Sequence, residues 1–141
     1  MNERYLFRGK RVDNGEWLEG FYVGSTHDAY IINADSFSPH FESDYVKVDP
    51  ATVGQCTGMR DKHGTLIFDG DVLERSSTRL FTDVKYKMAV FFSDVKGAWG
   101  VELSNRGGET FLTDYIGNAY TLEIIGNIHD NPELLEGGGR P

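Results

Sequence analysis

The stretch Val48-Asp49-Pro50-Ala51-Thr52-Val53-Gly54-Gln55-Cys56-Thr57-Gly58-Met59-Arg60-Asp61-Lys62-His63-Gly64-Thr65-Leu66-Ile67-Phe68-Asp69-Gly70-Asp71-Val72-Leu73-Glu74 constrains the fold more than any other part of the chain. It packs three changes of chain direction between strand-like runs, which leaves room for no more than a turn of helix. Asp49 before Pro50 reads as an N-cap and first helical position, because proline lacks the N–H that a helix start would leave unpaired. The chain then turns extended from Thr52 to Met59. Arg60 to Gly64 reads as a reversal, with Gly64 free to take the left-handed conformation that closes a short hairpin. Leu66, Phe68 and Val72 are expected on one strand face, with Asp69-Gly70-Asp71 as a bend before the strand resumes.

The flanks repeat this pattern of short strands and tight turns. Tyr5 to Val12 is extended, Asp13-Asn14-Gly15 supplies an Asn-Gly hairpin turn, and Trp17 to Val23 returns. In that return strand Trp17, Phe21 and Val23 share one face and Leu18 and Tyr22 the other, as expected of a strand covered on both sides. Tyr30-Ile31-Ile32 forms a third strand, and Asn33 to Tyr45 has no period and reads as a long loop, a length that often carries function. Further on, Val84, Tyr86, Met88, Val90 and Phe92 alternate with Lys85, Lys87 and Ala89, the cleanest strand signal in the chain. Trp99, Val101 and Leu103 answer it after a turn. Phe111 to Ile116 fits either a strand or a helical turn, and Asn131-Pro132 caps a short terminal turn.

At 141 residues, with 39% hydrophobic and 26% charged content, the chain is sized for one globular domain with its own core. Seventeen Gly, nine Phe and seven Tyr favour many short strands. A single Cys excludes an internal disulfide and points to a reducing compartment. The N-terminus lacks a signal-peptide core, and no run approaches the ~18 apolar residues of a membrane span. A cytoplasmic protein is the expectation. The formal charge of −8 repels a phosphate backbone, so nucleic acid is opposed as the general partner.

Several linked blocks resemble one family. Asp49-Pro50-x-Thr52-Val53-Gly54-Gln55, Thr57-Gly58-x-x-Asp61-Lys62-x-Gly64, Ile67-Phe68-Asp69-Gly70-Asp71-Val72-Leu73 and the run from Leu122 through Gly126-Asn127-Ile128-His129-Asp130-Asn131-Pro132 to Leu134 are similar to the YopX-like proteins of phages and prophages. Phe7-Arg8-Gly9-Lys10-Arg11 with Gly15-Glu16-Trp17 matches as well. The resemblance runs from about Arg4 to Leu135. It implies a mainly β protein with a small SH3-like barrel in its C-terminal part, made in a bacterial host during phage or prophage expression. On that basis one domain spans 1–135, with an N-terminal hairpin and three-strand segment over 4–48, a barrel core over 49–130 and a tail over 136–141. No catalytic residues come with the resemblance.

Each candidate site has an ordinary structural reading beside the functional one. Cys56 with His63 or His129 could form a thiolate–imidazole pair, yet a lone Cys beside Gly and Thr in a strand behaves as a small buried hydrophobe. Asp69, Asp71, His129 and Asp130 offer metal ligands for an assisted hydrolysis, but Asp beside Gly, and Asp-Asn-Pro, are turn and cap chemistry. Gly54, Gly58 and Gly64 are turn glycines without a phosphate-loop pattern. Arg4, Arg8, Lys10 and Arg11 lie within eight residues and form the best candidate nucleic-acid contact. Trp17, Phe21, Tyr30, Phe37, Phe41 and Tyr45 read first as core, since most aromatics bury to supply area, yet together with Tyr22 they exceed what a three-strand segment can bury. Phe37, Phe41 and Tyr45 are therefore the candidate anchors for a protein partner, a second copy of the chain included. The expected class is a non-enzymatic binding or assembly module with no cofactor and no metal. A nucleic-acid accessory role is the alternative, and a metal-assisted hydrolase stands third.

Overall fold

The computed structural model describes residues 3–33, 45–77, 85–103, 109–115 and 120–135. Among these the regular structure is antiparallel β strands and single turns of 3-10 helix, with no α-helix, which bears out the mainly β expectation. The chain divides into two compact units, Met1–Gly58 and Met59–Pro141. This division places Gly54 to Gly58 in the first unit. Its physical reason is strand pairing, because the segment starting at Gly54 is hydrogen-bonded beside the first strand of the chain.

In the N-terminal unit, β1 (Phe7–Lys10), β2 (Trp17–Gly24), β3 (Ala29–Asn33), β4 (Tyr45–Val48) and β5 (Gly54–Arg60) lie in the order β4-β3-β2-β1-β5. The Asn14-Gly15 turn joins β1 to β2 as expected, with Gly15 at a left-handed φ of 74°. Beyond β1 the chain bends back to β4: Arg11 bridges Val48, and Val12 N–H donates to the Lys47 carbonyl at 3.2 Å. Between β2 and β3 the backbones come very close at Gly20, where a Cβ would overlap the Ile32 carbonyl oxygen. Residues opposite one another in an antiparallel pair point to the same side. Phe7 opposite Gly20, Gly9 opposite Leu18, and Ala29 opposite Val48 thus share a face, and Ala29, Ile31 and Val48 form its buried cluster with Phe7, Leu18 and Val53 packed on them. Asp49 caps the turn Pro50–Thr52 as its sequence indicates, accepting from Ala51 N–H at 3.0 Å.

The C-terminal unit takes up the end of β5, which pairs with β6 (Leu66–Phe68) through the Asp61–Thr65 reversal, Gly64 adopting a φ of 81°. β7 (Asp71–Ser77), β8 (Tyr86–Ser93), β9 (Ala98–Leu103), β10 (Glu109–Phe111) and β11 (Tyr120–Asn127) make a second sheet in the order β10-β9-β8-β7-β11. This order is linear, and no closed barrel is found among the described residues. A bulge at Ile125, between the pairs made by Ile124 and Gly126, bends β11. Met88, Val90, Val101 and Leu122 enter the core as their alternation predicts, and Trp99 and Ile124 pack against it half-buried. Ile67, Leu73, Leu112 and Tyr115 complete that cluster. Val72 is fully buried but on the opposite side, because it pairs with Ala89 while its neighbour Leu73 pairs with the core residue Met88. The ambiguous segment at Phe111 resolves into both readings: β10 ends there and a 3-10 turn, Leu112–Asp114, follows.

Candidate functional site

The side of β1–β4 turned away from the Ala29–Ile31–Val48 cluster gathers most of the residues singled out in the N-terminal third. By register it carries Arg8, Lys10, Trp17, Glu19, Phe21, Val23, Tyr30, Ile32, Tyr45 and Lys47. The alternation places Arg8 and Lys10 on this side because they are two residues apart, and the Asn-Gly hairpin sets Trp17 opposite Lys10. The Arg8 guanidinium carbon lies 4.7 Å from the centre of the Trp17 ring and the Lys10 ammonium 5.8 Å from it. Cation and ring quadrupole attract at these distances, and the indole is held under two positive charges. Phe21, Tyr30 and Tyr45 are half-buried on the same side.

The four-residue basic cluster does not form one patch. Arg11 lies past the end of β1 and folds onto its own turn, donating from Nε and one Nη to the two Asp13 oxygens at 2.9 and 2.8 Å. This hydrogen-bonded pair raises the guanidinium pKa further and holds the Asp13 carboxyl below its ordinary value. Arg4 sits in the 3-10 turn Glu3–Tyr5, whose Arg4 carbonyl accepts from the Gln55 amide at 2.8 Å. Its aliphatic stem lies over Gly58, where a Cβ would come within 2.6 Å of Arg4 Cγ. Only Arg8 and Lys10 share a face. Of the three partner-binding candidates, Tyr45 stands on β4 opposite Ile32, and Phe37 and Phe41 lie outside the described residues.

The acidic candidates belong to turns. Asp71 is 1% exposed, and its carboxylate accepts from Phe68 N–H at 2.7 Å, closing the bend from β6 into β7. Gly70 is needed there for its φ of 89°, and its carbonyl accepts from Ile128 N–H. His129 follows a turn organised by Asn127, whose side-chain oxygen accepts from the backbone N–H groups of His129 and Asp130 at 3.0 and 2.9 Å. Among the described residues no three His, Cys, Asp or Glu side chains come together as metal ligands would. Cys56 is fully buried in β5, and its sulfur accepts from Gly58 N–H at 3.4 Å. The ring of His63 lies 3.3 Å from Glu123 Oε1.

Sequence reasoning passed over the turn between β8 and β9. Val95 is 93% exposed there, Phe92 and Phe111 are partly exposed beside it, and the Lys96 ammonium lies 4.7 Å over the Phe111 ring. Ser93 closes the turn, its hydroxyl oxygen and carbonyl accepting from the Lys96 and Gly97 N–H groups. The available signal was an apolar residue at a turn position, in Asp94-Val95-Lys96-Gly97.

Among the described residues, no helix is long and apolar enough to cross a membrane. No curated protein matches the chain. Among solved structures it is similar to protein EF1440 from Enterococcus faecalis, at 23% identity over 92% of this chain and 96% of that one, with a TM-score of 0.49. The family profile described as YopX protein matches residues 6–136, nearly the whole length, and the chain therefore belongs to the YopX family.

Proposed function

We propose that this protein is a non-enzymatic protein-binding or assembly module of a phage or prophage, acting in the bacterial cytoplasm through the aromatic side of its N-terminal sheet. The observation that carries this reading is the register itself: Trp17, Phe21, Tyr30 and Tyr45 stand on one side of β2–β4, opposite the aliphatic cluster of that unit. Aromatic side chains with Arg close by are the composition that interface centres favour. In this reading Phe37 and Phe41 add further anchors, and the partner is another protein or a second copy of the chain. The C-terminal unit then serves as the small SH3-like barrel of the family. Supporting that detail, the bulge bends β11, and the β5–β6 reversal hydrogen-bonds to β11 through Lys62 N–H and the Leu122 carbonyl at 2.8 Å.

The test is a Phe37→Ser, Phe41→Ser double variant, measured by light scattering over a concentration series and by melting. Loss of self-association at an unchanged melting temperature is expected. A variant that associates like the parent, or that unfolds, removes the loop from the binding surface.

One observation favours a second reading, in which single-stranded nucleic acid is the partner: cations and an indole lie side by side at Arg8, Lys10 and Trp17, the pairing that holds phosphates and stacks bases. The net charge of −8 opposes it. Salt-sensitive retention on immobilised single-stranded DNA, lost in an Arg8→Ala, Lys10→Ala variant, would put this reading first. Metal-assisted hydrolysis by Asp69, Asp71 and His129 has less behind it, since the Asp71 carboxylate already closes a backbone turn.

A further inference from the structure

We propose that the tip of the β5–β6 hairpin is a proton-operated latch on the outer edge of β11. This inference stands apart from the reading above, because it concerns the C-terminal unit alone.

β11 is the last strand of its sheet, and its inner edge pairs with β7 from Tyr120 to Asn127. The outer edge of such a strand presents unpaired N–H and C=O groups, the template on which another strand can add. Here the hairpin tip takes up two of them. Lys62 N–H donates to the Leu122 carbonyl at 2.8 Å, and the Ile124 N–H donates to Asp61 Oδ2 at 3.1 Å. The other oxygen of Asp61, Oδ1, accepts from His63 and Thr65 N–H at 2.9 and 3.0 Å. One carboxylate thus shapes the reversal and fastens it to the edge, with an oxygen committed to each task.

Ionic contacts reinforce the same junction. Glu123 on β11 lies between Lys62, at 3.2 Å, and His63, at 3.3 Å. The other charged groups around the junction are Arg60, whose guanidinium donates to the Gly64 carbonyl, and Glu74, which faces Glu123 from β7 and is paired with Lys85. Lys87 follows in the same row on β8. Cations thus flank two opposed glutamates from both sides.

A carboxylate that accepts three N–H bonds cannot keep them all once it is protonated. Burial pushes the Asp61 carboxyl up, but the bonds from Ile124, Thr65 and His63 outweigh it and hold the group below its ordinary value. Hydrogen bonds from His63 and then Lys62 lower Glu123 likewise. Both groups titrate lower in the folded state than in the open one. Their contribution is complete above the open-state value, about 4 for a carboxyl, and is lost as the pH falls through the folded values. The latch is shut at neutral pH and opens in acid. The sheet itself packs through Leu73, Met88, Val90 and Val101, which are buried side chains with no charge to titrate.

Native-state amide exchange of the whole chain, corrected for intrinsic rates, tests this. Between pH 5 and pH 3 the Ile124 amide should lose about tenfold or more of its protection, while the amides of β8 keep theirs. Asp61→Asn should show the same loss at pH 7. An asparagine has one acceptor oxygen and one NH2 group, so it serves either the reversal or the Ile124 N–H but not both. Glu123→Gln removes the contacts to Lys62 and His63, so it should lower Ile124 protection at pH 7 and leave a smaller pH-dependent loss carried by Asp61. Ile124 protection that stays constant, or that falls only together with that of β8, overturns the proposal. Protection in Asp61→Asn equal to the parent's also overturns it. Should that variant fail to fold, the parent's pH series decides by the same criterion.

Discussion

Single side chains in this protein are constrained most where backbone passes close to backbone. A Cβ at Gly20 would overlap the Ile32 carbonyl, which β3 cannot withdraw without breaking the ladder that holds it to β2. Gly20→Ala should therefore destabilise the N-terminal unit by about 3 kcal/mol or more, read as a drop in the denaturant midpoint. Gly15→Ala tests the contrast. A Cβ at Gly15 meets nothing within 4 Å, and the cost there arises only from its left-handed φ, so about 1 kcal/mol is expected. Cys56 illustrates burial instead. Its sulfur lies in a fully buried residue of β5, so thiol reagents should label it slowly in the native protein and rapidly after denaturation. Rapid native labelling would show that β5 opens at this point.

At the level of elements, the β8–β9 hairpin lies inside the second sheet, between β10 and β7. Six residue pairs from Met88–Leu103 to Ser93–Ala98 hold its register, and Phe92 meets Trp99 edge-on at 5.3 Å across it. Trp99 is half-buried, so its loss removes part of the area that a core tryptophan would cover. Trp99→Ala should cost about 2–3 kcal/mol, below the range for a fully buried ring. An unchanged melting temperature would show that the indole contributes no packing. Val95→Ser, at the same hairpin's exposed tip, should leave stability within about 0.5 kcal/mol of the parent, because nothing there is withdrawn from water. Any loss of association in that variant would assign the tip to an interface.

For the whole molecule, strands and single turns should give a far-UV circular dichroism spectrum of β type. A helical double minimum would contradict both sheets. Much of this was legible beforehand. Period-two alternation in Met88, Val90, Trp99 and Val101, turn chemistry at Asn14-Gly15 and Gly64, and the Asp49-Pro50 cap all act between residues near one another in sequence, so sequence alone determined the strands, the turns and the family. Register between distant strands is not local, and tertiary structure decided it. Pairing of Leu73 rather than Val72 with Met88 chose which of two adjacent apolar residues enters the main core. Pairing of β5 with β1 sets Gly54 and Gln55 in the first unit. Four basic residues within eight positions looked like one patch, but strand alternation kept Arg8 and Lys10 together over Trp17 while the chain's bend sent Arg11 to Asp13. Asp61 reads in sequence as an ordinary turn residue, and only the fold brings Ile124, 63 residues away, onto its second oxygen. Local propensity decides what a segment becomes, whereas the partner of a buried face or a free strand edge depends on chain closure over distances that no short pattern encodes.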